Sequence, residues 1–468
     1  MLLQNFKGWK ETGEIPLAPI TVFFGTNSSG KTSLLQSLLL LKQTAESADR
    51  TRVLHSGDER TLVDLGTLSD FVYSHSARTS LGFSLRWNLT EPIELPGKQQ
   101  PADLQFTVFV IQGHEGQPVV SLMRYDFRDA QTDMVRPRAL QSPEGYTPLV
   151  HFARDDAQNV YVAMRTAEGG YEMICKGVTL KRRRGRAWPL PAPIRFYGFP
   201  DEVMNYYQNA TWLADLALAL EKQLGRVHYV GPLREYPKRS YLWAGERPKN
   251  VGVRGELAVP AILAARAASA EIARGLGKGR RYSRFEEVIA DWLRRMGIIE
   301  SFKVESVAKQ RKDYEVRVKR TASAAEVLLT DVGFGVSQVL PVLVQSYYAA
   351  EHSTIIFEQP EIHLHPRVQA DLADVFIDAV HCRRVQFIIE SHSEHFLRRL
   401  QRRVAEEAIS AEDVALYVCY TEGDHSQIEE LYVDEFGNIT NWPKDFFGDE
   451  IGDLAAMTRA AMKRKKAS

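Results

Sequence analysis

The residues best placed to do chemistry lie near the start of the chain, in the octet Gly25-Thr26-Asn27-Ser28-Ser29-Gly30-Lys31-Thr32. Glycine, four residues, glycine, lysine and a hydroxyl residue make a loop whose backbone can close around an anion. Gly25 and Gly30 permit turn geometries that a side chain would forbid, and they let the main chain approach a phosphate. The N–H groups of the loop, with those of a helix starting at its end, then face the charge. Lys31 can neutralise β- and γ-phosphates, and the Thr32 hydroxyl can ligate Mg²⁺. Ser33 follows within the same first turn. The chemistry implied is the handling of a nucleotide's phosphates with Mg²⁺.

Such a loop needs a strand before it and a helix after it. Ile20–Phe24 is β-branched and aromatic and reads as a short buried strand, and the leucine-rich stretch to about Thr44 reads as a helix.

Three later stretches complete the constellation. Asp331-Val332-Gly333-Phe334-Gly335-Val336-Ser337-Gln338 runs into an apolar helix, so Gly333, Gly335, Ser337 and Gln338 stand at a helix N-terminus suited to grip a phosphate. Thr354–Phe357 reads as a buried strand ending in Glu358, a carboxylate that can share Mg²⁺ with Thr32. Gln359 comes next and cannot accept a proton at neutral pH, but it can orient a water. Glu361 is the nearest unassigned carboxylate, beyond a rigid Pro360. His363 and His365 read as structural. Val385–Ile389 is another buried strand, and His392 just past its end can reach a γ-phosphate or the attacking water. Slow hydrolysis is expected, with Glu358 on Mg²⁺, Gln359 positioning water and Glu361 or His392 assisting.

Between these segments the pattern changes. Leu81–Leu89, Leu104–Ile111, Val119–Phe127, Val160–Thr166 and Tyr171–Lys176 alternate apolar and polar residues and predict antiparallel hairpins. Helices are expected over 201–225, Leu257–Leu276 and Phe285–Met296, a strand from Arg226 to Leu233 ending at a Gly-Pro turn, and strands again at Lys303–Val307, Tyr314–Val318 and Val327–Leu329. Lys181–Arg186 is the strongest interior basic run, open to a nucleic-acid contact but better read as a solvated loop. Gly275–Arg281 reads as a linker, and Lys463–Ser468 as a basic tail.

Composition narrows the function classes. Lys+Arg and Asp+Glu both number 59, so no global charge marks a nucleic-acid binder. Cys175, Cys382 and Cys419 lack metal-ligand spacing, which suits a reducing cytoplasm. The nucleotide strand begins at Ile20, which is expected to leave no room for a signal peptide, and no apolar run has membrane-spanning length. A cytoplasmic protein without membrane contact is expected.

Together the Gly25–Thr32 loop, the Gly-x-Gly-x-Ser-Gln turn, the segment Phe357–Pro366 and the Ser391-His392-Ser393 switch resemble the ABC-type ATPases of the SMC and OLD kind. More narrowly, they resemble bacterial predicted ATPases of the AAA group whose chains end in a short domain of unknown function, here Cys419–Asp449. The resemblance covers residues 1–75 and 327–450. It implies an α/β head with its phosphate loop, a β-rich lobe and a helical insertion, divided as 1–80, 81–200, 201–300, 301–418 and 419–468. It also implies that nucleotide sits between two heads of a homodimer or higher oligomer, the signature of one completing the site of the other. Many relatives gate a nuclease or toxin effector in antiviral defence, with DNA or a phage product as trigger. The alternative is a repair ATPase acting directly on DNA, and a third reading is a stand-alone nuclease. Thr421-Glu422-Gly423-Asp424 echoes the first acidic motif of a Toprim nuclease, but no paired Asp-x-Asp follows, so that domain is expected to be absent.

Overall fold

The computed structural model describes residues 1–75, 79–97, 101, 103–128, 160–167, 170–183, 189–274, 281–308, 311–333, 335–442 and 457. Lys181–Arg186 is described only as far as Arg183. The linker (apart from Arg281), Phe334, the tail and the C-terminal stretch from Pro443 to Asp449 lie outside the described residues. The chain divides into two units, and elements are numbered in chain order.

The first unit comprises Met1–Pro16, Thr32–Val227 and Glu422–Gln427. Its sheet is antiparallel, in the order β2-β1-β4-β5-β6-β7-β8. The strands are β1 (Leu2–Phe6), β2 (Trp9–Glu11), β4 (Leu81–Asn88), β5 (Asp103–Gln112), β6 (Pro118–Arg128), β7 (Val160–Ala167) and β8 (Gly170–Lys176). Alternation explains the register: Leu104, Phe106, Val108 and Val110 on β5 are fully buried, as an antiparallel sheet with one covered face requires. Helix α1 (Lys31–Glu46) and the short α2 (Leu68–Phe71) also belong here. Residues 201–225, expected as one helix, form α3 (Glu202–Tyr206) and α4 (Trp212–Gly225). The break follows from Asn209, whose amide accepts from the Lys181 N–H at 2.7 Å and donates to the Thr179 carbonyl at 2.9 Å.

The second unit comprises Leu17–Lys31, His228–Thr421 and Ile428–Ser468. It is organised on a six-stranded sheet, β19-β18-β3-β17-β16-β9. The strands are β3 (Ile20–Gly25), β9 (Val227–Val230), β16 (Thr354–Glu358), β17 (Gln386–Glu390), β18 (Val414–Glu422) and β19 (His425–Leu431). β3, β16, β17 and β18 run parallel, and their near-continuous apolar runs are what a sheet covered on both faces requires. A smaller antiparallel sheet holds β10 (Tyr241–Leu242), β13 (Ser301–Ser306), β14 (Asp313–Lys319) and β15 (Val327–Leu328), and β11 (Glu271–Arg274) pairs with β12 (Arg281–Arg284). The helices are α5 (Ala258–Ala267), α6 (Phe285–Arg295), α7 (Gly335–Tyr348), α8 (Pro366–Arg383) and α9 (Glu394–Ala405).

The helix expected over Leu257–Leu276 therefore stops at Ala267. Ser269 turns left-handed (φ +49°), and the Ala270 N–H reaches back to the Ala265 carbonyl at 2.9 Å, closing the helix before β11 begins. The architecture is mixed α/β. Among the described residues no helix is long and apolar enough to cross a membrane.

Candidate functional site

The octet leaves β3 at Gly25, whose φ of +138° is closed to other residues. A Cβ there would meet the Cys419 carbonyl oxygen of β18 at 2.0 Å. The strand-to-loop exit can therefore pack against its neighbour only with glycine. Ser28 (φ +63°) and Gly30 (φ +93°) complete the curl, and the Ser29 N–H approaches the Thr26 carbonyl at 3.4 Å. Asn27 is exposed, whereas Ser29 is fully buried and its hydroxyl has no partner among the described residues. Lys31 folds over the loop, its Nζ donating to the Gly25 carbonyl at 3.0 Å and the Thr26 carbonyl at 2.7 Å. Burial lowers its pKa, opposed by the charge of Glu390. Thr32 and Ser33 follow in the first turn of α1.

The second side of the site is built by strand ends. Glu358 and Glu390 close β16 and β17 as register partners, and both are buried. Two buried carboxylates side by side cannot both ionise cheaply. Burial, and then Glu390, push the Glu358 pKa up to about 7, while the Tyr229 hydroxyl donates to it and holds it down somewhat. Crowded carboxylates of this kind are an environment that a divalent cation suits.

After Glu358 the chain turns sharply. Gln359 takes a left-handed conformation (φ +44°), rare for a residue with a side chain. Its N–H donates to the Glu390 carbonyl at 2.8 Å, and its carbonyl closes a turn with the Ile362 N–H at 3.1 Å. Glu361 is buried, and one carboxylate oxygen accepts from the Ser391 hydroxyl at 2.8 Å and the His392 N–H at 2.7 Å. Its other oxygen has no partner among the described residues. Desolvation raises its pKa against those hydrogen bonds. Glu361 thus holds the loop that carries His392. Burial, and then Lys31, lower the His392 pKa, so its ring is neutral at pH 7. Ser393 caps α9 by accepting from the Phe396 N–H at 3.1 Å, and His365 caps α8 by accepting from the Arg367 N–H at 3.3 Å.

Lys31 lies within reach of the charges of Glu390 and His392, His392 is held by Glu361, and Glu358 and Gln359 meet Glu390 across the strand ends. Three neighbours had no role in the reading of the sequence: Glu390, Tyr229 and Arg234. The turn before α7 is arranged differently from the rest. Gly333 and Gly335 have open space where a Cβ would stand, whereas Ser337 and Gln338 are buried in the first helical turn. The Gln338 side-chain nitrogen has no partner among the described residues. No group of three or more His, Cys, Asp or Glu able to hold a metal occurs among the described residues. A cation bound by one hydroxyl, one carboxylate and substrate phosphates needs no such group.

Residues 1–80 and 281–397 match a family described as AAA ATPase domain, and residues 409–457 match one described as a protein of unknown function (DUF3696). No curated protein sequence matches the chain. Among solved structures, the Smc head bound to the C-winged helix domain of ScpA aligns over 93% of this chain and 97% of its own, at 10% identity and TM-score 0.39. The SMC head domain from Thermotoga maritima aligns over 92% and 97%, at 9% identity and TM-score 0.35. An Smc head with an extended coiled coil from Pyrococcus furiosus, bound to the C-terminal domain of ScpA, aligns over 92% and 95%, at 10% identity and TM-score 0.36. On the ATPase-domain match the chain is an ATP-hydrolysing enzyme.

Proposed function

We propose that this chain is a Mg²⁺-dependent ABC-type ATPase whose ATP-bound heads pair with one another. The observation that carries the reading is the convergence of the phosphate-loop Lys31 with the strand-end acids Glu358 and Glu390 and the switch residue His392. They come from three parallel strands of one sheet: Lys31 from the loop after β3, Glu358 from the end of β16, and Glu390 and His392 from the end of β17 and the loop after it. ATP phosphates would be taken by the main chain of Gly25–Gly30 and by Lys31, which exchanges its present carbonyl partners for them. The buried Ser29 hydroxyl, without a partner among the described residues, and the crowded carboxylates fit a polyphosphate with its cation. Thr32 and Glu358 would hold Mg²⁺, which when bound neutralises charge building on the phosphate oxygens. Gln359 orients the attacking water. His392, neutral and held by Glu361, meets the γ-phosphate side. With an amide where a base would be most useful, hydrolysis is slow, because a positioned base contributes typically ~10²–10⁴-fold.

Head-to-head pairing is supported by the open space at Gly333 and at Gly335, which starts α7, where a second copy could approach. Gating of a separate nuclease or toxin effector in antiviral defence extends this reading, on the strength of the resemblance alone. Equal numbers of acidic and basic residues weigh against the repair alternative, in which DNA itself is the substrate surface. The experiment is ATP binding, hydrolysis and light scattering on the purified chain with and without Mg²⁺. Mg²⁺-dependent turnover and ATP-induced doubling of mass support the proposal. DNA-stimulated hydrolysis with a steep salt dependence would transfer support to the alternative.

A further inference from the structure

β9 and the turn after it invert the usual distribution of side chains. Leu233 and Tyr236 are exposed, 71% and 70%, while Arg234 between them is 3% exposed. Drawing a guanidinium inside costs several kcal/mol unless its donors are met. Nε has no partner among the described residues, but the two terminal nitrogens are met by main-chain carbonyls. Nη1 donates to Pro232 at 3.2 Å and to Gln359 at 3.1 Å, and Nη2 donates to Glu358 at 3.3 Å. Burial lowers the Arg234 pKa to about 10, opposed by Glu361, Tyr229 and Glu358, so it stays charged at neutral pH. The turn is pinned on both sides of the arginine. The Gly231 N–H donates to the Val253 carbonyl and the Glu235 N–H to the Arg254 carbonyl, both at 2.8 Å.

The grip falls on the turn that leaves β16. Gln359 is left-handed, and its peptide is held by Glu390 through the N–H and by Arg234 through the carbonyl. Such a conformation persists only where its surroundings impose it. Tyr229, on the strand beside β16, donates its hydroxyl to the Glu358 side chain. Neither Tyr229 nor Arg234 falls within the segments matched to the ATPase domain.

We propose that Tyr229 and Arg234 are positioning residues for ATP hydrolysis. Arg234 fixes the Glu358–Gln359 main chain so that the Gln359 amide aims at the water, and Tyr229 fixes the carboxylate of Glu358 toward Mg²⁺. The inference rests on the reading of the site as that of a Mg²⁺-dependent ATPase.

The test measures binding of a fluorescent ATP analogue, single-turnover hydrolysis and thermal stability on the full chain. A small misplacement of a reacting group costs on the order of 10²-fold, so Arg234→Met should lower the single-turnover rate about 100-fold while nucleotide affinity stays within about 3-fold. Arg234→Lys keeps the charge but not the fork, and should lose about 10-fold in rate with affinity unchanged. It decides the matter if Arg234→Met does not fold. A folded variant with wild-type rate overturns the role of Arg234. Equal losses in affinity and rate overturn it too, since they describe a general loosening of the site. Loss of an outer hydrogen bond to a metal ligand typically costs ~10–100-fold in metal affinity, so Tyr229→Phe should raise the Mg²⁺ concentration that half-saturates nucleotide binding by about 10-fold. Binding without Mg²⁺ should not change. An unmoved Mg²⁺ midpoint overturns the role of Tyr229. Wild-type protein that neither binds nor hydrolyses ATP overturns the underlying reading and this proposal with it.

Discussion

Glu358 and Glu390 stand opposite one another as register partners at the ends of neighbouring parallel strands, both buried, with the phosphate-loop lysine close enough to feel the charge of Glu390. Neither strand alone looks unusual. Side by side they crowd two carboxylates at the strand ends, where burial and Glu390 raise the Glu358 pKa to about 7.

That raised pKa has a pH signature. The folded pKa of Glu358 is about 7, above the ordinary value of 4.5. Below 4.5 both states hold the proton and the group is neutral in its effect. Between 4.5 and about 7 the unfolded chain ionises while the folded one retains its proton, so stability falls as pH rises through that window. Thermal unfolding of the nucleotide-free protein should show a melting temperature that declines across this range. Glu358→Gln should flatten the decline, and an unaltered slope would show that another group is responsible.

Lys31→Ala removes the cation that the loop folds around. Truncating one partner of a buried charge contact costs ~2–5 kcal/mol, so ATP affinity should drop by at least about 30-fold. The melting temperature should stay near wild type, because among the described residues the hydrogen bonds of the lysine go to two loop carbonyls. Equilibrium titration with a fluorescent ATP analogue checks this, and retained affinity would mean that the loop is not the triphosphate site.

Gly333 offers a cleaner test of head pairing than the buried Ser337. Open space surrounds the position where its Cβ would stand, so Gly333→Arg should fold and bind ATP normally as a monomer. A long side chain there should block approach of a second head. Light scattering with ATP should show no increase in mass. ATP-induced dimers as abundant as those of wild type would rule out this face as the contact.

Glu361 and His392 should act as one unit. The carboxylate holds the His392 N–H and the Ser391 hydroxyl, so Glu361→Ala should lower single-turnover hydrolysis on the order of 10²-fold, as should His392→Ala. The double variant should be little worse than either single one. Fully multiplicative losses would show that Glu361 contributes by another route, as the assisting carboxylate.

Much of this was legible in residue order. The strands β4 to β8 lie within two residues of their alternating pattern, because one covered face dictates a period of two. The phosphate loop, Glu358 and His392 announce themselves by sitting just after buried apolar runs. Arg234 does not. It meets Gln359 across 125 residues of chain, and a Gly-Pro-Leu-Arg turn looks solvent-facing until the tertiary structure turns the arginine inward. The signal that existed was its position just beyond the Gly-Pro turn that ends a buried strand. Similarly, alanine-rich residues 257–276 favour helix locally, yet the left-handed Ser269 and the β11–β12 hairpin end it early. Long-range packing prevailed over propensity there.

Single-turnover hydrolysis of γ-labelled ATP by wild type and Glu358→Gln, with and without Mg²⁺, tests the central claim most directly. The account predicts slow, Mg²⁺-dependent phosphate release by wild type, and a variant that binds ATP but releases phosphate at least about 100-fold more slowly. Phosphate release by Glu358→Gln at the wild-type rate, or wild-type release indifferent to Mg²⁺, would contradict it.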